Sequence, residues 1–316
     1  MDTPRFPNVT TLIVAAAMIV LPFVVPATLA SQIAIFATAA LSVTLLLGGA
    51  GLLSFGQGLY LGIGAYASGL LLRDAGFALL PTLLVATAGT AAVAAVLGAV
   101  MVRRQGIYFV MLTLAFAQMG YFAMLAAKDV TGGENGLSGL PRRFDLFGAT
   151  IASPLSFYVL SAGVFGLAFL AVQRLLASPF GSVLTAIREN EGRSEAMGYN
   201  VRLYKIAVIA VAGGIAGLAG SLHAVFLGFV PPTDVDLEVG QRMLVMSIIG
   251  GVGSPGGALV GSAFYTLVSE ALSELWARWM ALIALVLIAL VLFLPGGLWS
   301  AGRHLTGLLR RRDADG

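Results

Sequence analysis

The chain has 316 residues, of which 59% are hydrophobic and only 10% are charged, whereas soluble domains have about 25% charged residues. This composition excludes an ordinary soluble protein and predicts a membrane protein. The net charge of +3 is too small to indicate a nucleic-acid-binding surface, and the absence of cysteine excludes disulfides, thiolate metal sites and cysteine nucleophiles.

Ten apolar stretches follow one another along the chain, and a helix needs roughly 20 such residues to cross a hydrocarbon core. We predict helices at residues 11–30, 31–49, 59–72, 81–102, 107–127, 157–175, 204–228, 241–253, 258–273 and 279–298. The 40 glycines favour close helix packing through small residues. The predicted fold is an all-α, polytopic membrane helix bundle of about 8–10 transmembrane helices with glycine-rich helix breaks, in which residues 1–316 form a single transmembrane domain.

Basic residues predict the orientation of the bundle. They recur in loops on alternate sides, at Arg103, Arg104, segment 174–205 and segment 303–312. By the positive-inside rule that side is cytoplasmic, so both termini and a basic tail, 299–316, are predicted there. Loops 128–156 and 231–238 then lie outside, although the first of them also carries basic residues.

Two glycine-rich stretches, 48–58 and 250–257, interrupt the helical pattern at membrane depth. Unpaired backbone at that depth is tolerated only inside protein or beside water, and paired interruptions indicate a transport pathway. Tight turns between short helices remain the alternative. The two breaks and the nearby uncharged polar residues define a predicted solute pathway: Ser54, Gln57, Gly58, Thr113, Gln118, Gly250, Gly251 and Gly253. Hydrogen bonds between helices are the alternative role of the polar residues.

Segment 177–205 is the longest polar stretch between two apolar ones, so it is predicted to lie in water at the membrane surface. Ser178 and Pro179 suit a helix start, and Gly192 is expected to bend the helix before Ser194 caps a second piece. Gly198 supplies a left-handed stop. An apolar stripe, containing Phe180 and Ile187 at helical spacing, is expected to meet a soluble partner.

No catalytic or metal-binding set is evident. The two histidines, His223 and His304, have no partner at ligand spacing, and the glycine-rich breaks lack the lysine of a phosphate-binding loop. We therefore expect neither an enzyme nor a bound cofactor. Because ionisable residues are almost absent from the predicted spans, the chain lacks an evident means of coupling transport to protons or sodium.

Five motifs together resemble the permease subunits of ATP-driven importers for branched-chain amino acids, the LIV family. They are GLLSFGQGLYLGIGAYASGLL at 51–71, YFVMLTLAFAQM at 108–119, TGGENGLSGL at 131–140, SPFGSVLTAIRENEGRSEAMGYNV at 178–201 and IIGGVGSPGGALVGSAF at 248–264. The resemblance runs from about residue 41 to residue 294, and the third and fourth motifs are nearer to the LivM branch than to LivH.

The resemblance implies a multi-pass subunit in the bacterial inner membrane, paired with a second, related permease. Two cytosolic ATPase subunits, which bind the ATP, and a periplasmic solute-binding protein complete such importers. The resemblance implies that a cytoplasmic loop docks on the ATPase. The candidate coupling residues match that loop or lie beside the match: Phe180, Ile187, Arg188, Glu189, Glu195, Ala196 and Gly198. The later part of the loop signature is missing, so the docking register stays open.

The glycine-rich loop 131–141 suggests a shaped surface for a soluble partner outside, or alternatively a solvated linker. Its candidate binding-protein contacts are Gly132, Gly133 and Asn135. The expected function is inward translocation of leucine, isoleucine or valine by a non-enzymatic subunit. Urea or short amides as the solute, and a passive channel or secondary carrier as the class, remain alternatives.

Overall fold

The structure, a computed structural model, describes residues 9–141, 144–146, 149–151, 153–275, 279–293 and 296–300. The predictions for the first eight residues, and for the basic tail from residue 301 onward, fall outside these ranges.

In chain order the elements are α1 (Val9–Val24), α2 (Ala27–Thr44) with a π-helical extension (Leu45–Gly49), α3 (Gln57–Arg73), α4 (Leu79–Met101), α5 (Ile107–Ala126), α6 (Lys128–Thr131), a 3-10 turn (Gly133–Asn135), β1 (Phe144–Leu146), β2 (Ala149–Ile151), α7 (Pro154–Ala177), α8 (Pro179–Glu189), α9 (Glu191–Ala196), α10 (Val201–Leu227), a second 3-10 turn (Pro232–Val235), α11 (Leu237–Gly250), α12 (Pro255–Leu275) and α13 (Trp279–Phe293).

The predicted fold class is confirmed: the molecule is a polytopic membrane helix bundle, to which the structure adds one antiparallel hairpin of β1 and β2. Each of the ten predicted stretches coincides for most of its length with one helix, although the first, 11–30, runs past the end of α1 into α2. Among the described residues, five helices are long and apolar enough to span a membrane. α11 and α12, predicted as separate spans, form a pair bent by 113° that resembles one broken span or a re-entrant loop.

Helix α10 lies at the centre of the bundle, packed against α2, α3 and α4. Glycines make this approach possible. A β-carbon on Gly220 would overlap the carbonyl oxygen of Leu61, and one on Gly64 would overlap the backbone of Gly217. Small residues that let helix backbones meet in this way are the usual means of packing within membranes.

The two ends of the bundle differ. Helices α8 and α9 lie at the end where α7 stops and α10 begins; we call it the α8–α9 end. The opposite end holds the 3-10 turns and α6. Helix α5 is mostly exposed along its length, with Thr113 and Ala117 among its few buried positions. Its exposed apolar face therefore needs lipid or another protein against it.

Candidate coupling and pathway site

The two predicted glycine-rich breaks lie against each other. A β-carbon on Gly48, in the π-helical extension of α2, would overlap the carbonyl oxygen of Val252, between α11 and α12. Within the second break, a β-carbon on Gly257 would lie 2.7 Å from the carbonyl oxygens of Gly250 and Gly251. Only glycine permits backbones to approach this closely. The two breaks therefore contact each other through backbone atoms.

Within the first break, the backbone from Gly51 to Gly56 is not helical; we call this part the irregular segment. The N–H of Phe55 donates to the Thr113 hydroxyl at 3.2 Å, and the N–H of Gly56 donates to the Ser54 hydroxyl at 3.2 Å. Thr113 lies six residues into α5, or about 9 Å along its axis. Irregular backbone therefore enters the bundle and is satisfied there by predicted pathway side chains.

Gln57, at the start of α3, is buried. Its Oε1 accepts a hydrogen bond from the Ser42 hydroxyl at 3.2 Å, while its Nε2 has no partner among the atoms that the structure describes. An unsatisfied buried donor costs about 1–3 kcal/mol. This amide is therefore the group in the predicted pathway that is best placed to bond a water or a solute.

The structure divides the predicted pathway residues into two sets. Ser54, Gln57, Gly58 and Thr113 lie together along the irregular segment, where a β-carbon on Gly58 would lie 2.8 Å from the backbone nitrogen of Gly240. Gln118 is half-buried further along α5. The second set, Gly250, Gly251 and Gly253, belongs to the α11–α12 break, where Gly251 has a φ of 110°.

The segment predicted to couple the bundle to a partner is a helix-bend-helix, but its bend is not at Gly192. Helix α8 ends at Glu189, and Asn190 caps α9 by accepting from the N–H of Arg193 at 2.9 Å. Gly192 and Ser194 lie inside α9, so the predicted bend and cap are wrong. An asparagine cap satisfies the free N–H groups of the new helix directly. The predicted left-handed stop at Gly198 is confirmed, with a φ of 89°.

The apolar stripe of α8 faces the bundle. Ile187 is 3% exposed, and the ring of Phe180 stacks on that of Tyr204 with centroids 5.3 Å apart. Ile187 is covered by the chain itself, so the prediction that it meets a soluble partner is wrong, whereas Phe180 is half-buried and its contact with a partner stays a prediction. The other predicted contact residues are exposed: Arg188, Glu189, Glu195, Ala196 and Gly198.

Arg188 ties α8 to the first glycine-rich break. Its guanidinium donates to the carbonyl oxygen of Gly48. Its side-chain stem lies over Gly51, where a β-carbon would be 2.7 Å from Arg188 Cγ. Since Gly48 also contacts Val252, one exposed side chain of the surface segment reaches the place where both breaks meet.

A buried ion pair fixes α9 to α10. Lys205 Nζ lies 2.6 Å from Glu191 Oε2, and Lys205 is only 5% exposed. A buried ammonium is costly unless it is paired, so this contact holds the start of α9 against the bundle. The sequence offered no periodic signal for it, because the two residues lie on different helices.

At the opposite end, the glycine-rich loop is a shaped turn. The Thr131 hydroxyl donates to the carbonyl of Met124 at 2.6 Å, and Leu137 pairs with Val230 through two backbone hydrogen bonds of 2.9 Å. Gly132 and Asn135 are exposed, but Gly133 is buried. A partner at this end would therefore reach Gly132 and Asn135 rather than Gly133.

Sequence analysis missed a second buried pair near this end. His223 Nδ1, on α10, lies 3.0 Å from Asp234 Oδ2 in the second 3-10 turn, and Asp234 is 5% exposed. The imidazole also packs on Phe36, with ring centroids 5.6 Å apart. The pair fastens the 228–236 loop to the bundle. Helical periodicity does not predict it, because α10 ends at Leu227 and Asp234 lies in the loop beyond.

Comparison with known proteins identifies the family. Residues 25–294 match the family described as "Branched-chain amino acid transport system / permease component", which is more than half of the chain. The chain belongs to this family. It is therefore a multi-pass membrane permease of the ABC-transporter class, and the family is one of transport components rather than of enzymes.

Individual relatives agree with the family. The high-affinity branched-chain amino acid transport system permease protein LivM of Escherichia coli is 25% identical over 82% of this chain and 66% of its own length. LivM of Salmonella typhimurium is 25% identical over 85% of this chain and 69% of its own length. The chain thus spans about two thirds of the length of these curated relatives.

A relative with a different named solute also matches. The ribose import permease protein RbsC of Haemophilus influenzae is 28% identical over 51% of this chain and 52% of its own length. Membership of the family therefore leaves the solute open. No solved structure matches the chain significantly.

Proposed function

We propose that this chain is the transmembrane subunit of an ATP-driven importer that moves branched-chain amino acids inward across a bacterial inner membrane. The observation that carries the proposal is the match of residues 25–294 to the branched-chain amino acid permease family, and the contact of Arg188 with Gly48 supplies the proposed link to the ATPase. Through this contact, a segment exposed on the surface reaches the contact of the two glycine-rich breaks. In this role the chain pairs with a related permease, two cytosolic ATPase subunits and a periplasmic binding protein.

We assign the α8–α9 end to the cytoplasmic face and, as predicted from the basic residues, both termini to the same side. Since the stripe of α8 packs against the bundle, we assign docking of the ATPase to the exposed side of α9 and the turn after it, around Glu195, Ala196 and Gly198. Met197 lies among them and is 69% exposed. Methionine is enriched in protein interfaces relative to the rest of the surface, so Met197 is the proposed anchor.

The proposed solute route follows the irregular segment from Ser54 to Gln57, beside Thr113 of α5. Its groups are hydroxyls, an amide and backbone, which suit a neutral or zwitterionic solute. The buried ionisable residues on either side of it are already paired, Lys205 with Glu191 and His223 with Asp234. The energy for transport is therefore assigned to the ATPase subunits, and capture of the solute to the binding protein at Gly132 and Asn135.

Import is expected only from the complete assembly. In proteoliposomes with the second permease, the ATPases and the binding protein, radiolabelled leucine should accumulate when ATP is supplied on the ATPase side. The permeases alone should neither accumulate nor equilibrate leucine. Leucine flux through the permeases without ATPases would instead indicate a channel or carrier. ATP-driven uptake of ribose, urea or acetamide without leucine would reassign the solute.

Substitution of Met197 by glutamate is expected to weaken association of the ATPase by about tenfold or more, because interface anchors contribute about 2 kcal/mol or more. Glu195→Ala should weaken it less, as expected for an exposed charge. The measurement is co-purification and a titration of ATPase onto permease in nanodiscs. Thr185→Ala, an exposed substitution on α8, serves as the control and should leave affinity unchanged. Equal affinity in all three variants would place docking elsewhere.

A further inference from the structure

A cavity of about 250 Å³ opens at the α8–α9 end, between the first glycine-rich break, the α4–α5 loop and the coupling segment. We propose that it binds a small aliphatic carboxylate, such as a branched-chain amino acid or its 2-oxo acid, and that occupancy holds the coupling segment in place. The site is distinct from the proposed solute route along Ser54 and Gln57, neither of which lines it.

The inner walls of the cavity are apolar. They include Leu52 and Leu53 of the irregular segment, Val102 and Phe109 from the two sides of the α4–α5 loop, and Ile187 of α8. Val102, Phe109 and Ile187 are each buried. Such a lining gains from burial of an aliphatic group, at roughly 25 cal/mol per Å² of apolar surface.

The mouth of the cavity is cationic, since the exposed residues Arg104 and Arg188 are part of its lining. The lining also includes Lys205, which is buried, and the acidic residue Glu191. Glu191 is already paired with Lys205 at 2.6 Å. The guanidinium groups of Arg104 and Arg188 therefore give the lining a net positive charge. A guanidinium has five N–H donors and binds carboxylates in a bidentate fashion, so Arg188 can hold a carboxylate while it also bonds Gly48. The second oxygen of Glu191 can accept from an ammonium group.

Size narrows the class of ligand. Pockets for drug-sized ligands measure roughly 300–1,000 Å³, so this cavity suits a smaller molecule than a nucleotide. Inorganic phosphate would satisfy the arginines but leave the apolar walls unused. A short carboxylic acid with a branched aliphatic chain matches both the mouth and the walls.

A ligand bound in this cavity would contact both the α4–α5 loop and α8. Arg104 belongs to the α4–α5 loop, whereas Arg188 belongs to α8 and contacts the first break. A carboxylate shared by both arginines favours the one arrangement in which they are close. Solute that accumulates on this side should therefore slow the transport cycle. That consequence rests on the proposed function, but the binding itself does not.

The binding test uses the complete permease chain in nanodiscs without ATPases. Equilibrium binding of radiolabelled leucine should be saturable, and 4-methyl-2-oxopentanoate should compete. Leucinamide, which lacks the carboxylate, and inorganic phosphate should not. Arg104→Gln should reduce the affinity by about tenfold, as expected for loss of a charged hydrogen bond. The adjacent Arg103→Gln is a matched control, because Arg103 is exposed and does not line the cavity.

Three outcomes would overturn the proposal: no saturable leucine binding, equal affinities in the two arginine variants, or competition by phosphate as strong as by the oxo acid. Unchanged affinity in Arg104→Gln would also indicate that leucine binds along the solute route instead. Because Arg104 is exposed, thermal unfolding of the same samples should be unaltered. Failure of ATP-driven import would leave this binding result standing, so the two proposals fail separately.

Discussion

Substitution of Gly220 by alanine is expected to lower the free energy of unfolding by roughly 3 kcal/mol, the upper end of the range for over-packed cores. The added β-carbon would overlap the carbonyl oxygen of Leu61 and lie 3.1 Å from the backbone nitrogen of Ala65. Backbone cannot rotate away as a side chain can, so α10 would have to move off α3. Unfolding of the purified protein in one detergent, monitored by circular dichroism, measures the change.

The chain offers matched controls for that substitution. Gly89 on α4 and Gly163 on α7 are also helical, and a β-carbon on either would meet nothing within 4 Å. Gly89→Ala and Gly163→Ala should change stability by no more than about 1 kcal/mol, in the stabilising direction, because alanine favours the helix. Losses as large as that of Gly220→Ala would show that glycine is required for a reason other than the approach of α10 to α3.

Substitution of Arg188 by alanine is expected to separate ATP hydrolysis from import. The guanidinium joins α8 to the Gly48 carbonyl, whereas the buried stripe of α8 keeps the segment folded without it. Hydrolysis by the reconstituted complex should continue, while leucine imported per ATP should fall by about tenfold, within the range of coupling energies of roughly 1–3 kcal/mol. Arg174→Ala, an exposed substitution in the last turn of α7, is the control and should keep the wild-type ratio.

Equal losses of hydrolysis and import in Arg188→Ala would contradict this role. They would mean that Arg188 contributes to docking of the ATPase rather than to the link between α8 and the break. The two roles are separable because association with the ATPase can be titrated on the same variant.

The helices could be predicted because each depends on local hydropathy, and the break positions could be predicted because glycine and proline are local signals. Contacts between distant segments could not. Gly48 and Val252 belong to different breaks far apart in the sequence, and glycine has no side chain whose type suggests a partner. The pairing of His223 with Asp234 likewise depends on how the 228–236 loop returns to α10.

The orientation of the α8 stripe shows a different limit. An amphipathic surface helix can cover its own bundle or a partner, and the periodicity of Phe180 and Ile187 is the same in both cases. The burial of Ile187, together with the stacking of Phe180 on Tyr204, shows that the stripe covers its own bundle. As a result the residue best placed for docking, Met197, was overlooked, since a single methionine in a polar turn carries no periodic signal.

The link between α8 and the first glycine-rich break can be tested with a disulfide, because the chain has no cysteine of its own. A β-carbon on Gly51 would lie 3.5 Å from Arg188 Cβ, within the range of about 3.5–4.5 Å for a disulfide. In a Gly51→Cys/Arg188→Cys variant, leucine imported per ATP should be low when the cysteines are reduced. It should return towards the wild-type ratio when they are oxidised. The single variant Gly51→Cys is the control for backbone strain, because Gly51 has a φ of 68°. A pair that does not oxidise, or an oxidised complex that imports no more per ATP than the reduced one, would contradict the proposed coupling through Arg188.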